Sequence, residues 1–249
     1  MSANYRNPNF LLPNEVNMAT NPDLSVDRHS LYSMEFDNSS ISLGTSVDLG
    51  LNSTVSLWAK FDSFGAVLIG ESSYGSGYLF YIDGSNIYIR IAGVYGAFAH
   101  SLSTNQWYNI IILREGVPIE VFINGTSIGT STGDNGTYDT SINTKFDTLG
   151  NKPAGATGGS FPFRGDLDEF AGWNKSLSPS EITTISGAPG NLMALSNKPY
   201  AYYPLGEQAR DNTEWQFPNQ SIQSTVIDFD GTDYITAGSL SYITSNVFT

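Results

Sequence analysis

The sequence predicts an all-β protein made of two antiparallel sheets packed face to face. Three observations carry that expectation. Short apolar or alternating runs recur along the chain, each bounded by clusters of Gly, Asn, Asp or Ser. Helix-period patterns are scarce, while Gly numbers 25 and Tyr and Phe number 14 each. Ile110-Ile111-Ile112-Leu113 is apolar without alternation, as a strand covered on both faces should be.

Taken in order, residues 1–29 are rich in Asn and Pro and hold no sustained period. They read as an arm, either packed loosely on the domain or gripping a neighbouring subunit. Tyr5 and the apolar knot Phe10-Leu11-Leu12 favour the grip, because a free tail would waste them. Residues 31–36 and 41–43 are the first two strands, joined by the turn Asp37-Asn38-Ser39-Ser40. Residues 54–61 alternate, with Val55, Leu57 and Ala59 on one face and Trp58 and Lys60 on the other. Strands at 66–70, 78–82 and 87–91 follow, the last two joined by the hairpin turn Asp83-Gly84-Ser85-Asn86. Residues 95–99 add a further short strand. Residues 107–113 are the central strand, 119–123 the next, and Asn124-Gly125 is a type I′ hairpin signal. Residues 129–144 form a polar loop containing the hairpin-like Thr132-Gly133-Asp134-Asn135-Gly136-Thr137-Tyr138, and 146–150 are another strand.

Residues 163–187 read as a strand, a bend and a short capped helix. Simple alternation puts Asp168, Phe170 and Gly172 on one face of that strand and Glu169, Ala171 and Trp173 on the other. Ser178-Pro179-Ser180-Glu181 is a capping box with proline at the first helical position. Ile182 and Ile185 supply the helix with an apolar stripe.

Several of these stretches carry a resemblance. Gly165, Leu167-Asp168-Glu169-Phe170, Trp173 and Leu177-Ser178-Pro179-Ser180-Glu181-Ile182 match a Gly, Leu-Asp-Glu-Phe, aromatic, Leu-Ser-x-x-Glu-Ile order. Residues 54–61, Gln106-Trp107-Tyr108 and Val121-Phe122-Ile123-Asn124-Gly125 match earlier strands of the same pattern. Together they resemble the laminin-G-like domains of the concanavalin A-like lectin/glucanase superfamily. The resemblance implies an antiparallel jelly-roll β-sandwich over 30–190. Met34-Glu35-Phe36-Asp37 recurs as Ile227-Asp228-Phe229-Asp230, and Ala201-Tyr202-Tyr203-Pro204-Leu205-Gly206-Glu207 resembles the opening strand of the same domain type. Residues 191–198 are therefore expected to be a linker, and 199–249 the start of a second, incomplete repeat.

Composition narrows the function. A formal net charge of −13 argues against binding a nucleic-acid backbone, which needs clustered Lys and Arg. The absence of cysteine excludes disulfides, thiolate zinc and a cysteine nucleophile. Two histidines are too few for a His-rich metal site. The N-terminus lacks the pattern of a secretory signal, so the chain is expected to be made in the cytosol or to have lost a leader. No apolar run approaches a membrane span.

Glycoside hydrolysis needs two carboxylates roughly 5–10 Å apart across a cleft. Glucanases of the resembled superfamily carry them as Glu-x-Asp-x-x-Glu, and that spacing does not occur here. The resemblance also implies Ca²⁺ as the metal, with Asp168 the candidate ligand. A buried Asp168 could equally be satisfied by backbone amides or by Lys or Arg. Sugar binding would use exposed aromatics at a sheet face or loop tip, and the candidates are Tyr74, Tyr78, Tyr95, Tyr138 and Trp173.

The expected function is a non-catalytic structural or adhesion module on the surface of a virion, as a capsid decoration, head fibre or tail component. Its partners would be other virion or surface subunits, gripped through the arm, and glycans, in an oligomer or larger assembly. The alternative is a secreted or cell-surface lectin, and a glycoside hydrolase stands third.

Overall fold

The structure is a computed structural model that describes residues 33–205, except 76, 155, 157–158, 188–191 and 193–194. The arm at 1–29 and the repeat at 227–230 lie outside the described residues. The strands in chain order are β1 (Met34–Asp37), β2 (Ile41–Gly50), β3 (Asn52–Phe61), β4 (Ala66–Gly70), β5 (Tyr78–Ile82), β6 (Asn86–Ile91) and β7 (Val94–Ala99). They continue as β8 (Trp107–Glu115), β9 (Ile119–Ile123), β10 (Thr126–Ser131), β11 (Thr144–Leu149) and β12 (Arg164–Trp173). The helix α1 (Pro179–Gly187) and the short strand β13 (Ala201–Tyr203) follow.

The strands pair into two antiparallel sheets. One has the order β1-β12-β3-β8-β9-β10, with β13 also paired to β12. The other has the order β2-β11-β4-β5-β6-β7. The main core lies between them, where Val55, Leu57, Ala59 and Phe61 of β3 meet Phe80, Ile82, Ile87 and Ile89 of the facing sheet. This is the two-layer sandwich that the alternation predicts.

The central strand behaves as its unbroken apolar run requires. β8 lies between β3 and β9. Ile110 and Ile112 enter the main core, while Ile111 enters a second cluster under α1 with Trp173, Leu177, Ile182 and Ile185. The capping box forms as expected: Ser178 N donates to Glu181 Oε2 at 2.7 Å, and Glu181 N donates to Ser178 Oγ at 3.4 Å. Asn124 and Gly125 both have positive φ, 50° and 77°, as a type I′ turn demands. That turn leads into β10, so the polar loop begins three residues later than the sequence suggests. β2 also runs on to Gly50, well past residue 43.

β12 departs from simple alternation in one place. Asp168 pairs with Trp58 and Ala171 pairs with Ser56, so Glu169 and Phe170 together oppose Leu57. This is a β-bulge. It shifts the phase of everything after it. Leu167 and Phe170 both enter the main core, and Ala171 and Trp173 enter the cluster under α1. The expectation that Asp168 shares the face of Phe170 is therefore corrected. Asp168 lies across from Trp58, on the outer side, where Lys60 also meets Asp166 at 3.1 Å.

Glu169 holds the bulge in the left-handed region at φ 48°, which costs a non-glycine residue about 1–2 kcal/mol. Two bonds offset that cost. Glu169 N donates to Asp168 Oδ1 at 2.9 Å, and Tyr202 Oη donates to Glu169 Oε2 at 2.7 Å. Gly165 has its own reason in the same strand. At φ 140° an added Cβ would lie 2.0 Å from Lys60 O.

β13 supplies a second correction. Residues 201–203, expected to open a second unit, pair with the bulged half of β12 as Phe170↔Tyr203, Ala171↔Tyr202 and Gly172↔Ala201. β1 covers only Met34↔Leu167 to Asp37↔Arg164 of that strand. The remaining half of β12 thus finds its hydrogen-bond partner in β13. Tyr203 and Leu205 are buried in the main core, with the Tyr203 ring 5.7 Å from Phe170. The first domain therefore extends past residue 190 to include them.

The outer strand β7 is closed by the polar loop between β10 and β11. Tyr95 N donates to Asn135 Oδ1 at 2.9 Å, and Ala97 N donates to Asp134 Oδ2 at 2.8 Å. Asp134 N donates to Tyr95 O at 2.7 Å. An edge strand otherwise offers such groups to another chain.

Two predictions follow from the bulge and from this edge. Inserting one Ala between Phe170 and Ala171 reverses the face of everything after it and turns Trp173 away from the cluster under α1. The insertion is expected to cost at least about 3 kcal/mol, the scale of losing a large buried aromatic, in chemical denaturation. Deleting Glu169, the extra residue of the bulge, keeps Leu167, Phe170 and Trp173 on their present faces and should cost less; an insertion no more destabilising than the deletion would refute the phase argument. Replacing Asp134 and Asn135 together with Ala exposes the β7 amides. That variant is expected to self-associate in sedimentation velocity at concentrations where the parent does not change, and an unchanged profile would refute the edge role.

Candidate functional site

The outer face of the six-stranded sheet carries an aromatic and cationic surface. Phe80, Ile82, Ile87, Ile89, Ile91 and Phe98 of β5, β6 and β7 point into the core. The two-residue period then turns Tyr81, Tyr88, Arg90 and Tyr95 outward. Register brings them together across the strands, with Tyr81 opposite Tyr88 and Arg90 opposite Tyr95. The rings form a continuous row. Tyr78 and Tyr81 are 5.8 Å apart between centroids, Tyr81 and Tyr88 5.7 Å, and Tyr88 and Tyr95 5.9 Å. Phe161, from the segment before β12, meets Tyr81 edge-on at 5.6 Å. Each of the five rings is half-buried. Contacts of this geometry stabilise by about 0.5–1.5 kcal/mol each beyond area burial, so the row is pre-formed.

Two cations lie on the row. The Arg90 guanidinium is 5.4 Å from the Tyr78 ring and 5.9 Å from the Tyr95 ring. Arg90 Nη1 donates to Tyr78 Oη at 3.1 Å. Lys152 Nζ is 4.8 Å from the Phe161 ring and 5.4 Å from Tyr78. Partial burial, then the Arg90 charge, lowers the Lys152 ammonium below its ordinary pKa. Partial burial and the nearby Asp83 raise the Tyr81 and Tyr88 phenols. Those hydroxyls therefore stay protonated at neutral pH and remain available as donors.

The structure separates the aromatic candidates read from sequence. Tyr78 and Tyr95 belong to the row. Tyr74 does not: it is 3% exposed, its Oη donates to Asn143 O at 2.6 Å, and it accepts from Lys145 N at 3.0 Å. Tyr138 is 1% exposed, and its Oη donates to Ile89 O at 2.8 Å. Burial raises both phenols well above their ordinary pKa. Trp173 is 1% exposed in the cluster under α1, and its Nε1 donates to Asn197 O at 2.9 Å. These three fasten loops to the sandwich and present no ring face for a sugar. Gly96 shows how closely Tyr138 is seated, since a Cβ there would lie 2.8 Å from its hydroxyl.

Tyr81, Tyr88, Arg90, Lys152 and Phe161 were not legible as site residues one at a time. Their signal is joint. Tyr88 and Arg90 alternate with isoleucines, and both neighbouring strands carry tyrosine in the matching register.

Asp168 Oδ1 accepts from the next amide, and Glu169 from Tyr202. Among the described residues no group of three or more His, Asp or Glu side chains is placed to hold a metal ion. No helix among the described residues is long and apolar enough to cross a membrane.

Comparison with known proteins agrees with this architecture. The Concanavalin A-like lectin/glucanases superfamily matches residues 36–183, more than half of the chain. No curated protein matches the sequence. Among solved structures, the chain resembles a heptameric SAP-like pentraxin from Limulus polyphemus, with 14% identity and a TM-score of 0.52 over 69% of this chain and 90% of that one. It also resembles a candidate carbohydrate-binding protein from Bacteroides ovatus ATCC 8483, with 17% identity and a TM-score of 0.52. That match covers 69% of this chain but only 50% of the Bacteroides protein. At these identities the likeness concerns the fold. With its family match spanning β1 to α1 and its two sheets in place, this chain belongs to the Concanavalin A-like lectin/glucanases superfamily.

Proposed function

We propose that the domain is a non-catalytic adhesion module that binds glycans on the tyrosine face of its six-stranded sheet. One observation carries the reading: Tyr78, Tyr81, Tyr88, Tyr95 and Phe161 form a single partly exposed row on a rigid sheet. Sugar rings have apolar C–H faces and polar rims, and aromatic rings fringed by hydroxyls suit both. The resemblance of the fold to a candidate carbohydrate-binding protein supports the same reading. Asp168 and Glu169, the nearest acidic pair to a catalytic one, hold the bulge, which supports a binding role over hydrolysis.

The setting we propose is an assembled surface, a virion surface first, with the N-terminal arm gripping a neighbouring subunit. A secreted or cell-surface lectin is the alternative setting. Antibody labelling of the source particles in electron micrographs separates them: density on the particle supports the first, and label confined to the medium or cell wall sinks it. The mass of the full chain in solution reports whether it assembles.

Binding itself is tested on a glycan array, with and without chelator, followed by titration of the best sugar. Tyr81→Ala and Tyr88→Ala are expected to weaken binding at least tenfold each while the Tm shifts by only a few degrees, because both rings lie outside the core. Aromatic platforms contribute about 1–3 kcal/mol per stacked ring in other systems. Binding unaffected by both substitutions would place the sugar elsewhere.

A further inference from the structure

We propose that the tyrosine face selects saccharides carrying a single carboxylate, and that Arg90 is the residue that recognises it. The proposal rests on the reading of that face as a saccharide platform.

The chain as a whole is acidic, at −13, yet this face presents Arg90 and Lys152 on adjoining rings. Among the described residues Arg90 forms no ion pair. Its guanidinium is held by two ring faces and by the one hydrogen bond to Tyr78 Oη. Its Nε is buried and has no hydrogen-bond partner. Leaving a buried donor unmatched costs about 1–3 kcal/mol, more for a charged group.

The other deeply placed arginine shows the contrast. Arg114 donates to Gly116 O at 2.8 Å, Ile142 O at 2.8 Å, Asp139 O at 2.9 Å and Thr144 Oγ1 at 3.3 Å. Arg114 is spent on structure, whereas Arg90 is oriented by rings and still has donors to give. A planar guanidinium with free donors matches a carboxylate with two parallel bonds.

The flanks limit the charge of the ligand. Asp83 lies beside Tyr88, and Asp134 binds the β7 amide of Ala97. A polyanion such as nucleic acid or a polysulfated chain would meet both carboxylates. A mostly neutral oligosaccharide with one carboxylate could place it on the guanidinium of Arg90, with Lys152 over the same Tyr78 ring, and keep its neutral part against the flanks.

The test is calorimetric titration of the full chain with two matched pairs. One pair is a glucuronate-ended disaccharide and its methyl ester; the other is sialyllactose and its methyl ester. Esterification removes the charge and leaves the rings. We expect the acid of at least one pair to bind at least tenfold tighter than its ester, with the gap shrinking as salt is raised. The pair that shows the gap identifies the source of the carboxylate. Arg90→Gln should bring the acid-to-ester affinity ratio close to one, and Arg90→Lys should keep part of it. Esters that bind as well as acids would overturn the carboxylate preference and leave the platform standing. Acids that keep their advantage in Arg90→Gln would overturn the role of Arg90. Failure of all four sugars to bind would overturn both this inference and the platform reading.

Discussion

The sandwich depends on a two-for-one pairing in β12. Glu169 and Phe170 face one residue of β3, and that extra residue sets which side every later side chain takes. Before it, Leu167 points into the core between the sheets. After it, Phe170 still points there, and Trp173 points the opposite way to receive α1. A strand without the bulge could serve one of these two clusters, but not both in this order. The strained backbone is held by an adjacent carboxylate and by a tyrosine from β13. Acidic residues that look like chemistry in the sequence are thus part of the joinery.

Buried polar groups fix the loops at the sandwich rim in the same manner. Glu71 is fully buried, accepting from Ser46 Oγ at 2.8 Å and Ser73 N at 2.9 Å. Asp147 accepts from Ser72 N at 2.9 Å. Tyr74 and Arg114 donate to carbonyls of the loop before β11, and Tyr138 of that same loop donates to Ile89 O of β6. Buried polar groups are costly when unmatched, so such bonds specify one loop arrangement. They also explain why large aromatics in polar surroundings can be buried. Tyr74 and Tyr138 sit among Ser, Gly and Asp in sequence, the company of a surface loop. Only their long-range partners reveal them as anchors.

Much of the fold was legible because it rests on local rules. The alternation of β3, the unbroken run of β8, the Asn124-Gly125 turn and the Ser178 capping box each have a near-neighbour cause. The bulge was not legible, since Glu169 has no local preference for positive φ and its support comes from Tyr202, 33 residues away. β13 was hidden for a related reason. A three-residue strand has a weak pattern of its own, and its place is decided by the unpaired half of β12. The candidate site was half legible. Tyr78 and Tyr95 could be named, but the row exists only through the cross-strand register that adds Tyr81, Tyr88 and Arg90.

The closed margin of β7 has a consequence for how many such domains could work side by side. Its Tyr95 and Ala97 amides are already engaged by Asn135 and Asp134, which opposes a second copy continuing the tyrosine sheet by adding a strand at this edge. Crowded copies would remain separate grips. Any gain in holding strength would come from their number and spacing, with each aromatic row meeting its own stretch of ligand.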